Sequence, residues 1–357
     1  MDLLQLGWND FFVQQFAEYA EQGLSPARIA AQHRELYRAY SEQGELVASV
    51  SGSLRSQAAG PQDFPVVGDW VAVRPRPRER SATIHAVLRR RTQFSRKVAG
   101  RAMTQQVAAA NVDTVFLVMG LDGDFNLRRL ERYLVAAWES GAASVVVLSK
   151  RDLCDGGDLA GKLVAVESVA PGVAIHAVSG STGDGLDALL PFLAVGTTAA
   201  LLGSSGVGKS TLINRLLGRE ALRTAPVREH DSRGRHTTTH RKLVLLPGGG
   251  MIIDTPGMRE LQFWSAGEGM NTAFADLSEL AAGCRFHDCT HRGEPGCAVL
   301  QAVGEGRFDV RRLESFHKTQ AEMAALERRQ DMLKAREYKR HVKSMQRLLR
   351  SRLREKS

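Results

Sequence analysis

The run Gly203-Ser204-Ser205-Gly206-Val207-Gly208-Lys209-Ser210-Thr211 carries the strongest chemical signal in this chain, a match to G-x-x-x-x-G-K-[ST]. Its glycines let backbone N–H groups turn inward around phosphate oxygens. Lys209 suits the β- and γ-phosphates as a point charge, and the Ser210 hydroxyl suits Mg²⁺. The run follows the apolar TAALL and precedes STLINRLLG, so it predicts a strand-to-helix turn whose helix N-terminus adds positive potential. The bland alternative is a glycine-rich turn without a ligand.

Three further motifs gain meaning beside it. Asp254-Thr255-Pro256-Gly257 ends the apolar run MIID, where Asp254 would hold the metal through water and the Gly257 amide would sense the γ-phosphate. Ser149-Lys150-Arg151-Asp152 ends SVVVL and resembles the NKxD loop that reads guanine. A carboxylate at Asp152 accepts two hydrogens from the Watson–Crick edge of guanine, a donor pair that adenine lacks. Lys150 is expected to lay its stem over the base and tie to the phosphate loop. Ser149 departs from the usual Asn, so guanine selectivity is expected to survive in weakened form. Ser179-Gly180-Ser181-Thr182-Gly183 follows the run AIHAV, a turn whose backbone can donate to the guanine O6.

Between phosphate loop and DTPG lies Gly234-Arg235-His236-Thr237-Thr238-Thr239-His240. One of its threonines would complete the Mg²⁺ shell, with Thr238 favoured. Met258 stands where many GTPases place a water-orienting Gln, and a thioether cannot orient water. His236, or a bound partner, is the expectation for that task; otherwise His236 is an exposed loop histidine. A third cluster holds Cys284, Cys289, His291 and Cys297, with His287 as a competing ligand. Three thiolates and an imidazole suit a closed tetrahedral Zn²⁺. Cys154 is left over and reads as an inert thiol.

These motifs need a framework. VDTVFLVMG (112–120) and SVVVLSK (144–150) read as buried parallel strands, with the helical NLRRLERYLVAAWES between them. That βαβ texture over 106–270 predicts a doubly wound, mostly parallel sheet. Residues 44–105 alternate in short runs broken by Gly and Pro, as a small barrel would. Within them RRRTQFSRKVAGR (89–101) holds six basic residues and no acid, which suits an oligonucleotide-binding face or a charged edge strand. Residues 1–43 read as a helical extension, with Trp8, Phe11, Phe12 and Phe16 at helical spacing. Ser25-Pro26 there would open a second helix.

Composition narrows the function. The 357 residues carry a net charge of +9, and 311–357 alone hold fifteen Lys or Arg against six Asp or Glu, which is the whole excess. A basic helical tail on a neutral body, closing a zinc-binding domain over 271–357, points to a polyanion, nucleic acid first. No run approaches the roughly 18 apolar residues of a membrane span. The acidic start MDLLQLGWNDFF is a poor signal peptide, and four cysteines do not make a disulfide scaffold. A cytoplasmic, monomeric protein away from membranes is the expectation.

The motif order SKRD, SGSTG, GSSGVGKST, GRHTTT, DTPG puts the base-reading loops first, where an ordinary GTPase has them last. With the barrel before and the Cys/His cluster after, the chain resembles the bacterial small-subunit-dependent GTPases, the RsgA or YjeQ family. The resemblance covers about 44–300. It implies a circularly permuted P-loop GTPase domain between an OB-like barrel and a zinc-binding helical domain. It selects His291, at the Cys-x-His position, over His287. It also implies GTP hydrolysis, contact with the 30S subunit and its 16S rRNA late in assembly, and departure after hydrolysis. Two other readings compete: an RNA-tethering module with negligible turnover, and an ATP-using P-loop protein, which Asp152 disfavours.

Overall fold

The computed structural model describes residues 1–33, 35–97, 105–218, 241–254, 268–325, 328 and 331–332. Helix α1 (Asp10–Glu21) starts where the Asn9 side chain accepts from the Phe11 amide and buries Phe12 and Phe16. Strands β1 (Ser25–His33), β2 (Leu36–Ser41) and β3 (Gly44–Val50) follow. After the short α2 (Gly52–Gln57) come β4 (Trp70–Arg76) and β5 (Ser81–Val87). The order β1-β2-β3-β5-β4 closes through β1–β4 pairing into a five-stranded barrel, with β3 and β5 parallel.

This corrects the helical reading of 25–43 and the start of the barrel at 44. Ser25-Pro26 opens a strand: Pro26 is its second residue, paired in register with Ala72 of β4. Ala27 and Ile29 fill the barrel interior, while Arg28 and Ala30 face outward and are buried too. A strand covered on both faces shows no alternation, and its alanines read as helix. Trp8 on the N-terminal segment meets Trp70 edge-on with ring centroids 4.6 Å apart, so the segment caps the barrel.

A hairpin of β6 (Gln93–Lys97) and β7 (Gln105–Ala110) leads into the second module. There β8 (Thr114–Gly120), α3 (Leu127–Ser140), β9 (Ala143–Ser149), α4 (Gly156–Val169) and β10 (Ala174–Ala177) run outward. A 3-10 segment at Leu186–Leu193 returns the chain to β11 (Thr198–Leu202). α5 (Lys209–Leu217), β12 (Lys242–Leu245) and β13 (Met251–Asp254) complete the module. The sheet order is β10-β9-β8-β11-β13-β12, parallel except for β12. Order reverses between β8 and β11, the position at which open α/β sheets bind ligands beyond their carboxyl ends.

Two features join barrel and sheet. Ala31 of β1 pairs with Lys242 of β12, so the two sheets are hydrogen-bonded to each other. Arg28, 1% exposed, donates to the carbonyls of Leu6, Gly68 (3.3 Å) and Asn111 (3.0 Å) and to the Met251 sulfur (3.5 Å). Burial lowers its pKa to about 10, so it remains charged at neutral pH. Helices α6 (Glu268–Ala273), α7 (Ala275–Ala281) and α8 (Ala298–Gly304), with a helix over 310–325, form a third module. Its core of Phe274, Leu277, Val299, Phe308 and Leu313 packs on Val135 and Trp138 of α3. Glu131 of α3 binds Arg312 at 2.8 Å there, and Arg312 also binds Asp276 at 2.5 Å.

Candidate functional site: a nucleotide crevice and a sulfur-rich centre

The phosphate loop lies where β11 hands the chain to α5. A Cβ at Gly203 would sit 2.4 Å from the Val118 carbonyl, so only glycine lets β11 leave the sheet against β8. Gly208 caps α5 with φ +97°, a left-handed conformation that favours glycine. The Lys209 ammonium donates to the carbonyls of Gly203 (2.7 Å) and Ser204 (2.5 Å), across the mouth of the loop. Ser205 and Gly206 are exposed, Val207 is buried, and Ser210 and Thr211 begin the helix half-buried. Asp254 ends β13, next in the sheet to β11. Burial raises its pKa, and the nearby Lys209 charge works against that rise.

The base-side motifs meet this loop. The buried Ser149 hydroxyl donates to the Val207 carbonyl at 2.6 Å. The hydroxyl that replaces asparagine thus makes the tie to the phosphate loop. The ammonium of Lys150, expected to make that tie, binds Asp122 at 2.6 Å instead. Lys150 adopts φ 61°, a left-handed conformation uncommon for a side chain of its size. Asp152 is exposed, and the buried Ser179 hydroxyl donates to its Oδ1 at 2.6 Å. That hydrogen bond, foremost among several causes, holds the Asp152 carboxyl below its ordinary pKa. Ser181 Oγ lies 2.9 Å from Ser179 Oγ, and a Cβ on Gly180 would lie 3.2 Å from the Thr211 methyl. Arg151 is exposed, with its amide bonded to the Val178 carbonyl at 3.1 Å. Stretches 149–152, 179–181 and 203–211 therefore lie together at one end of the sheet. His236, Thr238 and Gly257 lie outside the described residues.

The acidic turn Asp122-Gly123-Asp124 beside these stretches escapes the sequence reading. Asp124 holds Ser204 of the phosphate loop, with the hydroxyl 2.7 Å from each carboxylate oxygen. Its signal was available: two acids around a glycine, between an apolar strand and the helix cap Asn126.

In the third module the ligand atoms of Cys284, Cys289, His291 and Cys297 lie within 4.8 Å of one another. Nδ1 of His291 is 3.4 Å from Cys297 Sγ and 3.7 Å from Cys284 Sγ, and those two sulfurs are 3.9 Å apart. A tetrahedral zinc with thiolate ligands has edges of about 3.8 Å, so the donor set fits that ion. The Leu300 amide donates to Cys297 Sγ at 3.4 Å, at the N-terminus of α8, where negative charge is favoured. His287 is exposed and outside the cluster.

Of the basic run at 89–101, the first three arginines can be followed, and Arg101 lies outside the described residues. Arg90 makes two 2.8 Å bonds to the buried Asp69, and Arg91 pairs with Asp113. Arg89 lies over the Phe11 ring at 5.3 Å. These three arginines hold the barrel, α1 and the sheet together. Arg89 and Arg91 are exposed, and further exposed arginines cluster on the β4–β5 hairpin, at Arg74, Arg76, Arg78 and Arg80. Among the described residues no helix is long and apolar enough to cross a membrane.

A phosphate loop on the central strand of a mostly parallel sheet, with base-side loops that precede it in the chain, defines a circularly permuted P-loop GTPase. The family model described as RsgA GTPase matches residues 87–264. The chain is 48% identical over 345 residues to the small ribosomal subunit biogenesis GTPase RsgA of Opitutus terrae, covering 94% of each. It is 49% identical over 304 residues to RsgA 2 of Lactiplantibacillus plantarum, covering 85% of each. Its fold matches the crystal structure of YjeQ from Thermotoga maritima with a TM-score of 0.64 and 27% identity, over 84% of this chain and 99% of that one. It also matches YloQ, described as a circularly permuted GTPase, with a TM-score of 0.61 and 22% identity, over 86% and 96% of the two chains. The chain belongs to the RsgA GTPase family.

Proposed function

We propose that this protein hydrolyses GTP to GDP and phosphate in the cytoplasm, acting as a monomer on the 30S ribosomal subunit late in its maturation. It binds the particle and its 16S rRNA with GTP and leaves after hydrolysis. The observation that carries the nucleotide reading is the Ser149–Val207 hydrogen bond, which fastens a base-side loop to a phosphate loop far from it in sequence.

In this reading Asp152, oriented by Ser179, accepts from the guanine edge, and the 179–181 turn donates to O6. The 203–211 loop and Lys209 neutralise the phosphates. A magnesium ion held through Ser210 and Thr238, and through water by Asp254, would supply further charge stabilisation to the phosphates. Gly257 reports the γ-phosphate, and His236 or the bound subunit orients the attacking water. Cys284, Cys289, His291 and Cys297 would hold one structural zinc, which would cross-link the third module. The exposed β4–β5 arginines and the basic residues of 311–357 other than the buried Arg312 supply positive charge for RNA phosphates.

Turnover measured with and without 30S particles tests the function, together with co-sedimentation under a GTP analogue and under GDP across a salt series. Slow turnover that 30S accelerates, with tighter and salt-sensitive GTP-state binding, is the expected result. Negligible turnover in both conditions would favour an RNA-tethering role. For the base site, Asp152→Asn presents an amide that pairs with N1–H and O2 of xanthine. Preference should pass from GTP to XTP, and an unchanged preference overturns the assignment of this loop.

A further inference from the structure

We propose that the acidic turn Asp122–Asp124 is a positioning element for nucleotide: Asp122 holds the Lys150 side chain against the base site, and Asp124 holds Ser204 of the phosphate loop. This deepens the nucleotide reading and rests on it.

The turn leaves β8 at Gly120 and reaches the α3 cap at Asn126, between the two motifs it touches. Asp122 is fixed at both oxygens. Oδ2 binds the Lys150 ammonium at 2.6 Å, and Oδ1 accepts from the Asp124 amide at 3.1 Å. A Cβ on Gly120 would sit 2.4 Å from Asp122 Oδ1, so glycine there is what lets the carboxylate lie against the strand end. Asp124 is fixed by Arg129 at 2.8 Å and by the Gly120 amide at 3.4 Å, and it receives the Ser204 hydroxyl. Each carboxylate faces its own cation, so the turn places two acids beside a phosphate site without net negative charge. Ser204 is also gripped through its carbonyl by Lys209.

The chemistry follows from these contacts. A free lysine stem must give up rotamer freedom when a purine ring lies on it, which weakens binding. Asp122 removes that freedom beforehand, so the gain falls on nucleotide affinity. The oxygens of Asp122 and Asp124 are engaged by Lys150, Arg129, Ser204 and backbone amides, so the role assigned to them is positioning.

The test is a pair of double-mutant cycles on the full chain, read by titration with a fluorescent GDP analogue and by steady-state GTP hydrolysis. Asp122→Asn should raise the GDP dissociation constant about five- to tenfold, with the loss in KM and not in kcat. Asp122→Ser, which keeps an acceptor for the Asp124 amide, should lose the same factor, and Asp122→Glu should recover part of it. In a Lys150→Met background Asp122→Asn should cost nothing more. Asp124→Asn and Ser204→Ala should show the same non-additivity. Thermal melting of each variant checks that the fold is kept. Equal losses in the wild-type and Lys150→Met backgrounds overturn the inference, as does an unchanged dissociation constant. Asp152→Asn, run alongside, separates the two levels. If it leaves the GTP-over-XTP preference intact, the base-site reading fails; if it switches preference while both cycles are additive, only the positioning role fails.

Discussion

Arg312 is the most informative residue to remove, because it joins the third module to helix α3 of the GTPase module through charge. Its guanidinium is 7% exposed and binds Glu131 at 2.8 Å and Asp276 at 2.5 Å, and it donates to the Ala273 carbonyl at 2.9 Å. Burial works against its charge, and the two carboxylates outweigh burial and raise its pKa. Glu131, 3% exposed, also receives the Ser315 hydroxyl, yet burial still leaves its pKa above the ordinary value. Arg312→Met keeps most of the volume but strands a buried carboxylate beside a second acid. Breaking a buried pair from one side costs about 3–5 kcal/mol, whereas replacing both partners is often nearly neutral. Glu131→Gln with Arg312→Met should therefore recover most of the loss.

The pH dependence has a definite sign. Without Arg312 the folded pKa of Glu131 rises further above its unfolded value. The folded state then holds a proton that the unfolded state has released, so stability is retained below the unfolded pKa, near the ordinary 4.5, and lost as pH rises through the folded pKa. Urea denaturation of Arg312→Met followed by circular dichroism should show a larger deficit at pH 8 than at pH 5, and the double variant should flatten that difference. A deficit independent of pH, or a double variant as weak as the single, would refute the reasoning.

Two other outcomes are expected. Ser149→Ala leaves the Val207 carbonyl without its 2.6 Å donor and should weaken GDP binding by about 1–2 kcal/mol, roughly five- to thirtyfold, in an equilibrium titration. The purified chain should carry one zinc by atomic absorption. Cys297→Ala should lose it, and chelation of the wild type should lower the melting temperature of the α6–α8 module.

The parts of this molecule that could be read in advance are those where chemistry fixes spacing. A loop that wraps phosphate needs glycines and a lysine at set intervals, so 203–211 is visible in one dimension. The same holds for Cys284, Cys289 and Cys297, and buried parallel strands such as 114–120 announce themselves as unbroken apolar runs. What stayed hidden depends on partners distant in sequence. Strand β1 looks helical because Ala27, Ala30 and Ala31 are small enough to be covered on both sides, a consequence of barrel closure and not of local preference. Arg90 reads as part of an RNA-binding face or a charged edge strand until the buried Asp69 is seen against it. Lys150 looks committed to the phosphate loop until Asp122 is seen at its tip.

The Ala31–Lys242 bridge has a mechanical consequence. With Arg28 gripping Leu6, Gly68, Asn111 and Met251, it leaves the barrel no swivel of its own: turning it means tearing a strand pair and uncovering a charge. Whatever grasps the barrel therefore grasps the GTPase sheet at its outer strand β12. That strand begins two residues after the 219–240 segment of the chain, which carries His236 and Thr238. A pull on the barrel is therefore handed to β12 and, along the covalent chain, to the 219–240 segment.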